Sequence, residues 1–311
     1  MNQKSYNSRL THLSKFTILS TLILIFVGAL VKSHEVGLSV PDWPTTYGEN
    51  MFVFPFSKMV GGIFYEHGHR LIATFVGFLT LCQTLWISIS NVERWLKIIG
   101  FISLCVVIAQ GMFGGLTVLF YLPPLVSIIH GVLAQTFLVI LIIIAYGLSK
   151  ERLDRDKKIK IHPKIQARAF ILGLLIYIQL ILGALVRHTS SGLAIPDFPT
   201  MGGAFFPIFN DSMLNYINDY LFDIDKDLVS LFQVAIHFFH RIGALIISIS
   251  FLIFFFKYHN RLKHNKKIYF SLWSIFFAIL FQITLGAATV LSEKHEIVTS
   301  LHVLNGAFLL G

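Results

Sequence analysis

Apolar residues gather in eight runs along the 311-residue chain, at 16–31, 71–89, 98–119, 125–148, 169–186, 242–256, 268–291 and 298–311. A helix needs roughly 20 such residues to cross the hydrocarbon core of a bilayer. Several runs reach that length unaided, and others reach it once their weakly polar flanks are counted. The eighth has only 14 residues, so it reads as a helix that is truncated or completed by residues outside this chain. The first is too long, and too poorly followed by small residues, to be a cleaved leader, and it counts as helix one. The pattern predicts an all-α integral membrane protein of eight transmembrane helices.

The chain also matches itself. Residues 28–45, GALVKSHEVGLSVPDWPT, return as 183–200, GALVRHTSSGLAIPDFPT, at an offset of 155. His69-Arg70 returns as His240-Arg241 at 171. Gln110, Gly114, Thr117, Val118 and Leu119 return as Gln282, Gly286, Thr289, Val290 and Leu291, and His130 as His302, at 172. The growth in offset places an insertion of about 16 residues in the second half's outer loop, where the acidic stretch 219–227 lies. An even number of helices per half makes both halves enter the membrane in the same sense. The expected architecture is therefore two four-helix bundles, 1–150 and 151–311, related by a pseudo-two-fold axis along the membrane normal.

Composition removes the soluble alternatives, since 55% of residues are hydrophobic and 13% charged, about half the usual charged share. The net charge of +9 would draw nucleic acid were it not so unevenly placed. With the N-terminus in the cytoplasm, the inner segments carry 18 of the 25 Lys and Arg, and the outer segments carry 12 of the 16 acids. That distribution follows the positive-inside rule. It predicts a multi-pass cell-membrane protein with a cytoplasmic N-terminus and no nucleic-acid partner. Cys82 and Cys105 both fall in apolar runs and read as small buried hydrophobes.

Chemistry is concentrated in the histidines. Of thirteen, His12, His162, His259 and His264 fall in inner segments, and His34, His188 and His295 in outer ones. His67, His69, His130, His237, His240 and His302 lie within membrane helices, where an ionisable side chain is costly and marks a functional site. Four of them form the repeated set: His69 with His130, and His240 with His302, near the outer ends of the second and fourth helix of each half. Imidazoles pointing inward from such helices reach both axial positions of one haem iron. A lone histidine would read equally well as a helix-to-helix hydrogen bond, but two matched pairs at one depth do not. A zinc site wants three or four clustered ligands, and each half offers two. Arg70 and Arg241, directly after ligand candidates at the membrane boundary, suit haem propionates, with interfacial anchoring as the plainer role.

The halves differ at one informative place. Glu66 stands three residues before His69, and His237 three before His240, each on the ligand's face of its helix. A carboxylate beside a partly dry haem accepts a proton or stabilises developing positive charge; its plainer role is to orient the ligand. The asymmetry predicts one haem that is acted upon and one that transfers electrons. The repeated segment after the first helix of each half is too rich in Pro and Gly for a helix and is expected to fold as a lid, with Asp42 and Asp197 either capping a helix or meeting a propionate.

Taken together, GALV-Lys/Arg, GL-x-x-PDWP, the run Glu66-His67-Gly68-His69-Arg70, and single histidines at 130 and 302 resemble the haem A synthase family of bacteria and mitochondria, across essentially the whole chain. The resemblance implies oxidation of the 8-methyl group of haem O to a formyl group, giving haem A for cytochrome oxidase. It implies a substrate site for haem O and haem A in the N-terminal half and haem b in the C-terminal half. Carried over, Glu66 is the catalytic carboxylate, His69 and His130 flank the substrate haem, and His240 and His302 ligate haem b. Arg70, Arg241, Arg187 and Lys32 become candidate propionate contacts, with haem sites toward the outer side of the membrane. Implied partners are haem O synthase, cytochrome oxidase assembly factors and membrane lipid, with a homo-oligomer left open. Many bacterial members place a cysteine pair around the PDWP segment; here Val40 and Thr46 stand there, so no loop disulfide is available. The competing reading is a di-haem b electron carrier or quinol oxidoreductase, which would usually stack its haems across the bilayer. A transporter would want broken helices or mid-membrane charges, and none is convincing.

Overall fold

A computed structural model describes residues 6–153 and 161–311. Part of the basic inner charge predicted above, at Lys4, Arg155, Lys157, Lys158 and Lys160, lies outside the described residues. The described residues are helical, with two isolated antiparallel bridges, Thr46 with Glu49 and Met201 with Ala204. The elements are α1 Ser8–Ser33, α2 Gly62–Ile89, α3 Arg94–Leu119, α4 Pro124–Gly147, the short α5 Lys150–Leu153, α6 Pro163–His188, α7 Asp211–Asp223, α8 Leu231–Leu262, α9 Lys266–Leu291 and α10 Glu296–Leu310.

Seven of these are long and apolar enough to cross a membrane: α1, α2, α3, α4, α6, α8 and α9. The chain is a multi-pass all-α membrane protein. The eighth run forms α10, whose 15 residues extend about 22 Å at 1.5 Å per residue, short of a full crossing.

Helix boundaries follow local chemistry. The Asn7, Asn210 and Asn265 side chains accept the N–H groups of Leu10, Met213 and Ile268, capping α1, α7 and α9. Ser230 and Gln233 form a reciprocal capping box on α8. Pro124 and Pro163 open α4 and α6, where a missing N–H costs nothing.

Contacts divide the chain into two compact units, 1–160 with 311, and 161–310. In the first, α1 packs on α2 and α4, and α3 packs on the same two helices, so α2 and α4 stand diagonally across a four-helix ring. In the second, α6 packs on α8 and α10, and α9 on the same two, so α8 and α10 are diagonal. Burial is inverted relative to a soluble bundle. Phe78, Phe101, Phe170, Phe239 and Phe277 face outward, while Ser14, Thr17, Thr21, Thr80, Thr84 and Ser103 are buried between helices. Small hydroxyl residues let helix backbones approach closely in lipid and return their hydroxyls to helix carbonyls, as Thr84 does to Gly100 at 2.9 Å. Cys82 is half-buried, and Cys105 is exposed on the outside of α3 rather than buried as expected.

The insertion in the second half folds as α7. Met213, Ile217 and Leu221, spaced four apart on one face, bury against Leu193, Ala194, Ile195 and Val234. This helix has no counterpart in the first unit and was not foreseen from the acidic sequence.

Candidate functional site

Each pair of repeated histidines sits on the diagonal helices of its unit. His69 on α2 and His130 on α4 lie within electrostatic reach of each other. His240 on α8 and His302 on α10 have ring centroids 6.3 Å apart, with planes at 72°. Helix neighbours lie about 8–10 Å apart, and the diagonal of the ring is longer, which leaves room for two imidazoles meeting end to end.

Glycines seat all four rings. A Cβ on Gly28 of α1 would come within 2.8 Å of His69 Cε1, and one on Gly114 of α3 within 3.2 Å of His130 Cε1. In the second unit the same places are held by Gly183 beneath His240 and Gly286 beneath His302, at 3.3 and 3.2 Å. Their recurrence was visible in the sequence, but their purpose was not. Gln110 and Gln282 share that history. Each amide donates to the backbone carbonyl of its histidine, Gln110 to His130 at 2.9 Å and Gln282 to His302 at 3.1 Å.

The same amides lie 3.4 Å from Nε2 of His130 and of His302. Nδ1 of His69, His130 and His302 is buried without a hydrogen-bond partner. His240 differs: Gln179 of α6 donates to its carbonyl at 2.7 Å and lies 3.0 Å from its Nδ1. The position matching Gln179 in the first half, at the offset of 155, is Leu24. Among the described residues no group of three or more His, Cys, Asp and Glu could hold a bare metal ion. Two opposed imidazoles instead fit a metal whose remaining ligands come from a planar macrocycle. Metal–imidazole bonds of about 2 Å on either side put ring centroids about 6 Å apart, close to the spacing of His240 and His302.

The Pro-Asp segments fold as irregular loops over the ends of these helices, and neither aspartate caps a helix. Asp42 accepts the Thr45 hydroxyl at 2.5 Å and the N–H groups of Tyr47 and Gly48 at 2.8 and 2.9 Å. Asp197 accepts Gly202 and Gly203 N–H at 2.7 and 3.0 Å. Burial works to raise both carboxyls, but these hydrogen bonds outweigh it, and both sit below the ordinary value of 3.8.

Arg70 and Arg241 clamp these loops. Arg70 donates through Nη1 to the carbonyls of Asp42 and Thr45 at 2.7 and 3.0 Å, and through Nη2 to Val40 at 2.7 Å. Arg241 repeats this on Asp197, Thr200 and Ile195 at 2.8, 3.1 and 2.8 Å. The propionate role expected for them competes with these loop carbonyls. Arg187, at the end of α6, acts electrostatically on His302, which keeps it beside the histidine pair; Lys32 is its counterpart at the end of α1.

Glu66 completes the first clamp. Its carboxylate is buried, takes Arg70 Nη2 at 2.7 Å and accepts Val40 N–H at 2.8 Å. His237 stands in the same place in the second unit, with Ile195 N 3.2 Å from its Nδ1 and Arg241 Nε 3.2 Å from its Nε2; a neutral imidazole accepts from one of the two. His67 is buried, 3.0 Å from the Thr46 hydroxyl, with its ring centroid 5.1 Å from that of Phe54 at a tilt of 47°. The sequence alone assigns no role to His67 or His237.

The sequence matches the family described as cytochrome oxidase assembly protein over residues 11–311. The chain belongs to that family. Relatives named heme A synthase align along almost their full length. One from Pelagibacter ubique is 30% identical, covering 94% of this chain and 91% of its own. One from Lysinibacillus sphaericus is 25% identical, covering 96% and 92%. Another from Staphylococcus saprophyticus is 24% identical, covering 96% and 93%. The family resemblance carried by the His-Arg and Pro-Asp motifs therefore holds over residues 11–311.

Proposed function

We propose that this protein is a haem A synthase, oxidising the methyl group of haem O to the formyl group of haem A. The observation that carries the division of labour is that equal histidine pairs are unequally held. In the second unit Gln179 fixes His240 from the side, as suits a permanently ligated haem b between His240 and His302. In the first unit His69 has Leu24 in that place and an unengaged Nδ1, as suits a haem that must enter as substrate and leave as product. A ligand imidazole held by a neighbouring group binds its metal more firmly and in one orientation.

Haem b, when bound, supplies one-electron transfer, and haem O brings the methyl group to be oxidised. The chain's own residues do the rest. His69 and His130 position the substrate haem, Glu66 places a buried carboxylate one helical turn from His69, and Arg70 keeps that carboxylate aimed. Arg187 and Lys32 meet propionates, while the guanidiniums of Arg70 and Arg241 hold the lids. The N-terminus is cytoplasmic and the haem sites lie toward the outer face. The eighth helix is represented here by α10.

Extraction and chromatography of the haems from purified protein test the reading. Haem b together with haem O or haem A is the expected profile. Haem b alone in both sites would sink the enzyme assignment and leave a di-haem electron carrier.

A further inference from the structure

The end of the second unit farthest from its histidines carries a built cleft that the haem chemistry does not use. From Ile165 to Gly183 along α6 is a separation of about 27 Å. The cleft, of about 210 Å³, lies where the start of α6 meets the end of α8, and Lys164, Arg168, Lys257, Arg261 and Tyr258 line it. Among the described residues no Asp or Glu lines it. Tyr258 is buried, and its hydroxyl takes a hydrogen bond from Arg168. The Arg168 guanidinium lies 5.4 Å from the Tyr258 ring centroid. Arg168 is thereby held in place before any ligand arrives, which lowers the ordering cost of binding.

A second cleft of about 310 Å³ shares Arg168, Lys257 and Tyr258 with the first and continues down the same two helices. Its walls are apolar, with Leu172, Leu175, Ile253 and Phe254. The cations stand at the ends of the apolar runs, which is headgroup depth, and the apolar walls begin one turn deeper. Isolated interfacial anchors need no such continuity between a charged mouth and an apolar groove.

We propose that these joined clefts bind one anionic phospholipid, its phosphodiester among Lys164, Arg168, Lys257 and Arg261 and an acyl chain along Leu172, Leu175, Ile253 and Phe254. Basic pockets between membrane helices recognise anionic headgroups in this way, and a free phosphate would leave the apolar half of the site unused. The proposal does not depend on the haem reading.

Native mass spectrometry of the purified full chain, titrated with dioleoylphosphatidylglycerol or dioleoylphosphatidylcholine, is the test. Phosphatidylglycerol is expected to be retained in preference to phosphatidylcholine. The double variant K257Q/R261Q should lose about thirtyfold in phosphatidylglycerol affinity, the scale set by two basic side chains near an anionic headgroup. R94Q/K97Q, which removes cations from the start of α3, should leave retention unchanged. Leu175→Trp fills the apolar groove and keeps every charge; it should abolish lipid retention, and it decides the matter if K257Q/R261Q fails to fold. Equal retention of the two lipids, an unchanged titration in K257Q/R261Q or Leu175→Trp, or displacement of the lipid by millimolar inorganic phosphate alone would overturn the proposal, the last by marking a free-anion site.

Discussion

Glu66 and His237 hold one position with two chemistries. Both stand between the N–H of the loop residue above them and the arginine four residues on, Glu66 accepting from each and His237 lying within 3.2 Å of each. The asymmetry was legible in the sequence, since both lie three residues before a ligand candidate. The shared latch was not, because it depends on where the Val40 and Ile195 amides land after folding. A role confined to the latch makes a distinct prediction from a role in the oxidation. Glu66→His installs the second unit's latch and Glu66→Gln keeps the shape without charge. If Glu66 serves the oxidation, both variants keep haem but lose haem A formation by about 10²- to 10⁴-fold, the usual worth of a positioned acid or base. Haem A formation preserved in Glu66→His would reduce Glu66 to a loop anchor. The glycine seats give a second residue-scale prediction. At Gly28 an added Cβ meets the His69 ring at 2.8 Å, so Gly28→Ala must push the imidazole aside. Overpacking of this kind costs about 1–3 kcal/mol, and the absorption spectrum of protein loaded with haem O should lose its His69-ligated signature while the haem b bands stay. An unshifted spectrum would show that the seat yields.

Among the elements, the membrane helices were legible because apolar runs near 20 residues have few other uses, and the two loops because Pro and Gly break helices. What escaped was α7, whose Met213, Ile217 and Leu221 stripe is diluted by Asp and Asn to a mean hydropathy below that of the spans. The arginines escaped for a different reason. A basic residue at the membrane boundary next to a haem ligand points to a propionate, and nothing in the sequence says that three loop carbonyls converge on it. The loops carry their own pH dependence. Asp42 and Asp197 have folded pKa values below their unfolded ones, so their contribution to loop order is fully present above about pH 4 and is lost as pH falls through the lowered folded value. Hydrogen exchange at Tyr47 and Gly48, corrected for the intrinsic rate, should quicken only below about pH 4. Asp42→Asn should exchange quickly already at neutral pH and show no such step. A wild-type step nearer pH 6 would assign the change to a histidine instead.

At the scale of the whole molecule, the repeat is what made the site readable. One buried histidine in a membrane helix has several explanations, whereas the same histidine on the same glycine in both units, each with its partner on the diagonal helix, has few. The repeat also misleads if taken as identity, since Leu24 stands against Gln179 and Glu66 against His237, the differences on which the proposed division of tasks rests. That division makes occupancy of the two units separable. His302→Ala removes one of the two imidazoles 6.3 Å apart in the second unit and should empty it of haem b while the first unit still takes up haem O. His130→Ala should do the reverse, leaving a protein with haem b alone and no haem A. Haem content per chain, read by extraction from each variant, distinguishes this from a shared site. Loss of both haems from both variants, with the fold intact by thermal unfolding, would mean that the four histidines serve one centre, and the assignment of one haem to each bundle would fall.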